Sequence, residues 1–175
     1  MEPWLRPDEE AVAARQADLI KGIEQALYLL EAALRDLPEE ALWWEPAPTV
    51  ASIGARMQHL LGASRRLGTY AFDAEYDPEA MAQMSEREWV PSHRSKADLL
   101  EDARAVFGEL VARIRAVDEG ALDERRPVGR RRVLVRRSVI LHHLVEHAAH
   151  HVGQILLLAR LWSARSRSVT EEKSN

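Results

Sequence analysis

Apolar residues recur every three to four positions along four stretches of the chain, and this spacing predicts four amphipathic helices. Their predicted bounds are about 9–36, 52–72, 95–117 and 136–162. The stripe of the first consists of Leu19, Ile23, Leu27, Leu30 and Leu34. No segment of note alternates with the period of a strand. The pattern predicts an all-α four-helix bundle in one domain over residues 1–162, followed by a polar tail over 163–175 that we expect to fray.

Residues that commonly cap helices precede three of these stretches. Asp8 precedes two glutamates, whose charge suits the positive end of a helix dipole. Ser52 is a candidate N-cap for the second helix. Ser95 and Asp98 have the spacing of a capping box, with aspartate where glutamate is usual.

The segments between the helices are rich in proline or in polar residues. Residues 37–51 contain three prolines and two adjacent tryptophans, which predicts a connector with one short turn at 39–42. Residues 73–94 lack a long period and predict a loop with one helical turn near 79–86. Loops of that length in a compact domain often carry function. Residues 119–134 are polar and rich in arginine, and we expect a loop there as well.

Composition narrows the class of protein. The chain has 175 residues, 46% of them hydrophobic, and a net charge of −4, so no strong overall field attracts nucleic acid or an anionic membrane. The first residues, Met1–Trp4, lack the apolar region of a signal peptide, and no apolar run is long enough to cross a bilayer. We therefore expect a cytoplasmic protein with neither nucleic acid nor membrane as partner. The absence of cysteine excludes disulfides, thiolate metal ligands and a cysteine nucleophile in this sequence.

Histidine is the informative residue type, since five of the seven histidines lie within positions 142–151. His147 and His151 are four residues apart on the predicted fourth helix, about 40° apart around its axis. A pair with this spacing can bind one metal ion through two imidazole nitrogens. His143 and His147 form a second such pair, and Gln154 continues the same polar face. Glu146 precedes His147, so the segment is not the zinc motif in which glutamate follows the first histidine.

A third ligand has to come from another helix, and His59 is the candidate. It lies in the middle of the second helix, at the edge of the apolar stripe and among small residues. Three neutral imidazoles with a vacant position suit a divalent metal that activates a substrate. The competing interpretation is that His147 and His151 are a hydrogen-bonded surface pair and that His59 is an ordinary histidine at the edge of the core.

Two groups of motifs resemble one known family. The segment His147–Gln154 reads H-x-x-H-H-x-G-Q, and the segment from Leu42 through Pro46, Ser52 and His59 follows the pattern L-x-W-x-P, S-I and H-L. Both patterns are similar to those of the DinB/YfiT-like superfamily of metalloenzymes, and the resemblance covers roughly residues 16–162. The chain departs from the family where the last helix often begins with a Ser/Thr cap, since it has Val133-Leu134-Val135 there.

The resemblance implies a four-helix bundle that binds a divalent metal, most often zinc or nickel, through His59, His147 and His151. It implies that His150 is not a ligand and that Gly153 permits close helix packing. It assigns no role to Gln154, which we place beside the metal or in packing.

The resemblance also implies an enzyme, with a low-molecular-weight-thiol S-transferase as the favoured activity on a small-molecule substrate. Because the sequence has no cysteine, the thiol would have to come from outside the chain. The alternatives are a hydrolase that uses a metal-bound hydroxide, with Glu146 as the nearest base, and a non-catalytic metal-binding protein of the stress response. A homodimer is a further expectation from the family.

Several other side chains are candidates for contact with a substrate. Arg56 and Arg66 lie on the same side of the second helix as His59 and could hold carboxylates near a metal. A solvated helix face explains them equally well. Trp89 is a candidate for lining the site from the 73–94 loop. The arginine-rich 125–137 segment predicts a solvated loop or an anion-binding rim, since no aromatic residues accompany it as in a nucleic-acid surface.

Overall fold

Four long helices form the body of the molecule in the computed structural model, which describes residues 1–172, with side chains described as far as residue 166. In chain order, the helices of the described residues are Ala14–Leu34 (α1), Glu39–Leu42 (α2), Ile53–Phe72 (α3), Pro78–Arg87 (α4), Lys96–Ala116 (α5) and Arg137–Glu172 (α6). The four long ones are α1, α3, α5 and α6. Two strands, Arg125–Val128 (β1) and Val133–Arg136 (β2), precede α6. Short 3-10 turns cover Pro3–Leu5 and Glu119–Asp123.

The four long helices do not follow one another around the bundle. Both α1 and α3 pack against α5 and α6, so α1 and α3 lie diagonally opposite each other. The connections over 35–52 and 117–136 therefore cross the bundle, which explains their length. One apolar core fills the space between the helices. Large side chains that are fully buried in it include Ile23, Leu30, Leu34, Leu42, Ile53, Met57, Leu60, Leu61, Leu99, Phe107, Ile114 and Leu122.

The predicted four-helix bundle is confirmed, as are two of its caps. The Ser52 hydroxyl accepts a hydrogen bond from the Ala55 amide at 3.2 Å. Ser95 and Asp98 form a reciprocal capping box, with the Asp98 amide donating to Ser95 Oγ at 3.1 Å and the Ser95 amide donating to Asp98 Oδ2 at 3.3 Å.

The predicted start of the first helix is wrong, because α1 begins at Ala14 rather than at residue 9. Asp8, the predicted cap, pairs with Lys21, and Glu9 pairs with Arg115 of α5. These acidic side chains therefore hold the N-terminal segment against the bundle instead of starting a helix. The end of the last helix is also wrong: α6 continues beyond residue 162 to Glu172.

The 73–94 segment contains a longer helix than the single turn predicted. Asp77 caps α4, accepting from the amides of Glu79 at 2.9 Å and Ala80 at 3.3 Å, and Pro78 occupies its first turn. This cap and proline are a favourable N-terminus for a helix that buries few apolar groups.

The arginine-rich segment forms a β-hairpin rather than a loop, and the sequence analysis missed it. Pairing is antiparallel, from Arg125 opposite Arg136 to Val128 opposite Val133, with Gly129 in the turn at a φ of +69°. Strands of four residues, with arginine at the start of β1 and at the end of β2, give too short an alternation to detect. In residues 1–172 no helix is long and apolar enough to cross a bilayer.

Two arginines of this region serve the fold. The Arg137 guanidinium is buried and donates to the carbonyls of Ala71 at 2.8 Å and Ala121 at 2.9 Å. Arg126 donates to the carbonyl of Asp73. Both therefore satisfy backbone acceptors at or just beyond the C-terminal end of α3, where cations are favoured.

Candidate metal centre

Three histidines from two helices meet at the contact between α3 and α6. His59 Nε2 lies 3.2 Å from His147 Nε2. The ring centroids of His59 and His151 are 4.7 Å apart, and those of His147 and His151 are 4.4 Å apart. One ligand atom from each of the three residues lies within 4.8 Å of the other two. The residues predicted from spacing are therefore brought together.

The surroundings of the cluster keep all three imidazoles neutral at physiological pH. Burial, helped by the charges of Arg66 and Arg56, lowers the pKa of His59 to about 4. Burial, together with the neighbouring imidazoles, lowers the pKa of His147 to about 3 and that of His151 to about 4. Neutral imidazole is the form that binds metal.

The donor set fits a divalent cation. Two nitrogens bound at about 2.0–2.1 Å to one tetrahedral ion lie about 3.3 Å apart, close to the 3.2 Å between His59 Nε2 and His147 Nε2. In addition, the Nδ1 atom of His151 is buried without a hydrogen-bond partner among the described residues. Buried polar atoms rarely lack partners, so the cluster is a place where a further group is expected.

A buried carboxylate lies directly behind His59. Glu88, which follows the last residue of α4, places Oε2 at 3.1 Å from His59 Nδ1. Its other oxygen, Oε1, forms an ion pair with the Arg66 guanidinium. Gly62 provides the space for this side chain, since a Cβ on Gly62 would lie 2.3 Å from Glu88 Oε1. His59, Gly62 and Arg66 thus form one face of α3 that receives Glu88.

The next residue, Trp89, covers His59. The two rings stack with centroids 4.1 Å apart and an interplanar angle of 20°. Gln58 anchors the backbone beyond it, donating to the Val90 carbonyl at 2.8 Å and accepting from the Ser92 amide at 2.9 Å. The end of the 73–94 segment therefore forms one wall of the site.

The second arginine predicted to contact substrate lies on the other side. Arg56 donates to Gln154 Oε1, and the Gln154 amide nitrogen lies 2.8 Å from His150 Nε2. Burial lowers the pKa of Arg56, and its Nε is buried without a hydrogen-bond partner in the described part of the chain. Gln154 therefore links Arg56 of α3 to His150 of α6, at the edge of the cluster.

The remaining residues of the histidine segment lie away from the cluster or do not pack as expected. His142 and His143 are exposed and lie near the carboxylate of Glu146, which is itself exposed. Gly153 does not mediate close helix packing, because among the described residues a Cβ there would meet no atom of another element within 4 Å. That expectation is wrong, since the α6 surface at Gly153 is open rather than pressed against a neighbour.

Comparison with known protein families identifies this architecture. The model of the DinB superfamily matches residues 23–155, which include all three clustered histidines. The chain belongs to the DinB superfamily. No curated protein matches it.

Several solved structures share the fold of this superfamily member at low sequence identity. YfiT from Bacillus subtilis, described as a probable metal-dependent hydrolase with an unusual four-helix bundle topology, has a TM-score of 0.63 and 14% identity, covering 90% of this chain and 94% of YfiT. The DinB-like protein YjoA from Bacillus subtilis has a TM-score of 0.62 and 16% identity, covering 83% and 92%. The colibactin self-resistance protein ClbS, solved with dsDNA, has a TM-score of 0.60 and 14% identity, covering 83% and 95%.

Sequence reasoning missed Glu88, the buried carboxylate that contacts both His59 and Arg66 in this DinB superfamily member. The only available signal was Gly62, since a glycine inside a helix often marks a close approach by another group. It lies three residues after His59, on the face of the proposed ligand. That position indicates that another group packs against Gly62, but it does not identify the group. Glu88 lies 26 residues further along the chain, and only the tertiary structure brings it to Gly62.

Proposed function

We propose that His59, His147 and His151 hold one divalent ion, zinc or nickel, and that the protein is an enzyme that transfers an external low-molecular-weight thiol to a small electrophile. The observation that carries the proposal is the convergence of three neutral imidazoles in a chain that has no cysteine of its own. Membership of a superfamily with a fold neighbour described as a probable metal-dependent hydrolase supports the metal centre.

The reaction we propose forms a bond between the thiol sulfur and an electrophilic carbon of the second substrate. The leaving group departs with the electrons of its bond to that carbon, and the thiol proton passes to solvent. When bound, a divalent ion favours the thiolate at neutral pH by lowering the pKa of the thiol.

The chain's own residues supply binding and positioning. The three imidazoles would hold the ion to which the thiol binds, and Trp89 covers the outer face of His59. Arg56, partly buried beside the cluster, offers a positive charge to an anionic group of either substrate. Arg66 is already paired with Glu88, so its geometry favours a structural task over substrate binding.

The arrangement of carboxylates favours thiol transfer over hydrolysis. A hydrolase of this type benefits from a general base near the attacking water. Glu146, the candidate from the sequence, is exposed beside His142 and His143. Glu88 is committed to Arg66 and His59. Neither carboxylate is available to accept a proton from water in the cluster.

Metal analysis of protein purified without a histidine tag tests the first half of the proposal. We expect about one zinc or nickel ion per chain, and loss of that ion in His59→Ala and His151→Ala. The matched control is His142→Ala, an exposed histidine of α6 that should retain the metal. Wild-type protein that stays metal-free at micromolar supply would refute the metal centre.

Turnover assays test the second half. Metal-loaded protein is mixed with a small thiol and an electrophilic acceptor, and the thioether product is quantified. Product that depends on both thiol and metal supports thiol transfer. Metal-dependent cleavage of ester or amide substrates without thiol would instead support the hydrolase, and bound metal without turnover of either kind would support a binding protein.

Other expectations of the sequence analysis stay predictions. They are the cytoplasmic location, the homodimer, the role in stress response and the absence of a nucleic-acid partner. The last of these has a direct test in a DNA-binding assay, since ClbS shares the fold and was solved with dsDNA.

A further inference from the structure

The ion pair behind His59 has a geometry that bears on how the site binds metal. Glu88 divides its two oxygens, Oε1 toward Arg66 and Oε2 toward His59 Nδ1 at 3.1 Å. Glu88 is buried, and the imidazole it touches is the only one of the three clustered rings with a carboxylate partner in the described residues.

We propose that Glu88 is a positioning residue, which Arg66 holds in place and which keeps the proton of His59 on Nδ1, so that Nε2 presents its lone pair to the metal. This inference rests on the metal centre proposed above and adds to it the residue that prepares one ligand.

The direction of the hydrogen bond follows from the chemistry of the two groups. An ionised carboxylate accepts hydrogen bonds and cannot donate them. His59 Nδ1 must therefore carry the hydrogen, and in a neutral imidazole the other nitrogen is then free of it. That nitrogen, Nε2, is the one that faces His147 Nε2 at 3.2 Å. Carboxylates that orient a metal-ligating histidine in this manner commonly raise metal affinity about 10- to 100-fold.

The carboxylate itself has little freedom to turn away. Arg66 fixes Oε1, and the backbone of α3 at Gly62 lies so close that even a methyl group there would overlap the carboxylate. The main chain that follows Glu88 is also held, because Trp89 stacks on His59 and Gln58 donates to the Val90 carbonyl.

Replacement of Glu88 by glutamine gives a specific prediction, because Arg66 can only donate hydrogen bonds. In Glu88→Gln the amide oxygen must turn toward Arg66, which leaves the amide NH₂ facing His59. His59 Nδ1 then has to accept, and the proton moves to Nε2, the nitrogen needed for the metal. A substitution that alters one atom should therefore reverse the tautomer.

Two measurements test this. ¹⁵N NMR of metal-free protein, with the His59 signals assigned by comparison with a His59→Asn variant, reports which ring nitrogen carries the proton. We expect Nδ1–H in the wild type and Nε2–H in Glu88→Gln. Titration with Zn²⁺ against a competing chelator should show a dissociation constant about 10- to 100-fold higher in Glu88→Gln. Glu86→Gln, which changes an exposed carboxylate in the last turn of α4, is the matched control and should change neither.

A purely structural ion pair would lower stability in Glu88→Gln without reversing the tautomer, and that result would overturn the proposal. If Glu88→Gln fails to fold, the wild-type spectrum decides alone, since a His59 protonated on Nε2 contradicts the inference. The NMR readout needs no metal, so it is distinct from a failure of the proposed function. Wild-type protein that binds no zinc but holds His59 as Nδ1–H would refute the metal centre and leave the positioning of His59 supported.

Discussion

Gly62→Ala tests the close packing of Glu88 on α3 with the smallest perturbation available. The added methyl group would lie 2.3 Å from Oε1 of Glu88 and 2.5 Å from both Cδ and Cγ. These contacts are too short for a side chain to remain where it is. Glu88 must move, and its interactions with Arg66 and His59 must weaken.

Two opposing effects determine how much Gly62→Ala changes the free energy of unfolding. Alanine is favoured over glycine inside a helix by about 1 kcal/mol. Disrupting a buried ion pair by displacing one partner costs about 3–5 kcal/mol. We therefore expect Gly62→Ala to lower the free energy of unfolding by about 2–4 kcal/mol. Gly108→Ala on α5 is the matched control, since a Cβ there meets no atom of another element within 4 Å in the described part of the chain, and it should raise stability by about 1 kcal/mol.

Urea unfolding followed by far-ultraviolet circular dichroism, in chelator at constant pH, measures both variants. A second comparison isolates the cause. In a Glu88→Ala background the obstructing side chain is gone, so Gly62→Ala should become stabilising. Equal stability of Gly62→Ala and Gly108→Ala would refute the packing argument, as would an unchanged cost of Gly62→Ala in the Glu88→Ala background.

Three further predictions concern the pH dependence of stability, the position of Trp89 and the buried Arg137. The clustered histidines have a pKa of about 3–4 in the folded protein and about 6.5 in the unfolded chain. The free energy of unfolding of the metal-free protein should therefore be constant above pH 6.5. Between pH 6.5 and 4 it should fall by up to about 1.4 kcal/mol per pH unit for each histidine. Urea midpoints across this range should fall less steeply in His151→Asn, and a flat wild-type profile would contradict the burial argument. Addition of paramagnetic Ni²⁺ should quench tryptophan fluorescence less in Trp89→Phe than in the wild type. The control Trp4→Phe, which removes an exposed ring, should be quenched as much as the wild type. Equal loss of quenching in both variants would rule out Trp89 as the tryptophan nearest to the histidine cluster. Arg137→Met should destabilise by about 3 kcal/mol because two carbonyls lose a charged donor, against less than about 0.5 kcal/mol for the exposed Arg136→Met; similar unfolding midpoints for the two would refute the structural role of Arg137.

The parts of the structure that depend on local pattern could be predicted from the sequence. Each long helix carries its own apolar period, and the caps at Ser52 and Ser95 are contained within a few residues, so neither needs knowledge of the fold. The pair His147 and His151 belongs to the same category, because one turn of helix fixes their relative positions. His59 was reached because it lies at the edge of the apolar stripe of another helix, among small residues that leave room for a cleft.

The parts that depend on distant contacts could not be predicted. Asp8 resembles a helix cap in sequence, and only the position of Lys21 in the folded chain shows that it forms an ion pair. The hairpin is held in part by backbone hydrogen bonds between its two strands. An arginine-rich sequence does not show that its backbone groups will pair in this way. Glu88 is one of many glutamates, and its burial follows from where α4 ends rather than from its neighbours in sequence.

The arginine-rich hairpin connects these missed features to the site. The Tyr76 hydroxyl, just before α4, donates to the carbonyl of Pro127 at 3.1 Å, and Arg130 pairs with Glu79 in the first turn of α4. The hairpin thus braces the start of the helix whose end carries Glu88. Because α4 is short and has no buried residue of its own, its position depends on such contacts at both ends. The segment first interpreted as a solvated loop or an anion-binding rim is therefore better understood as a support that fixes α4, and through α4 the carboxylate behind His59.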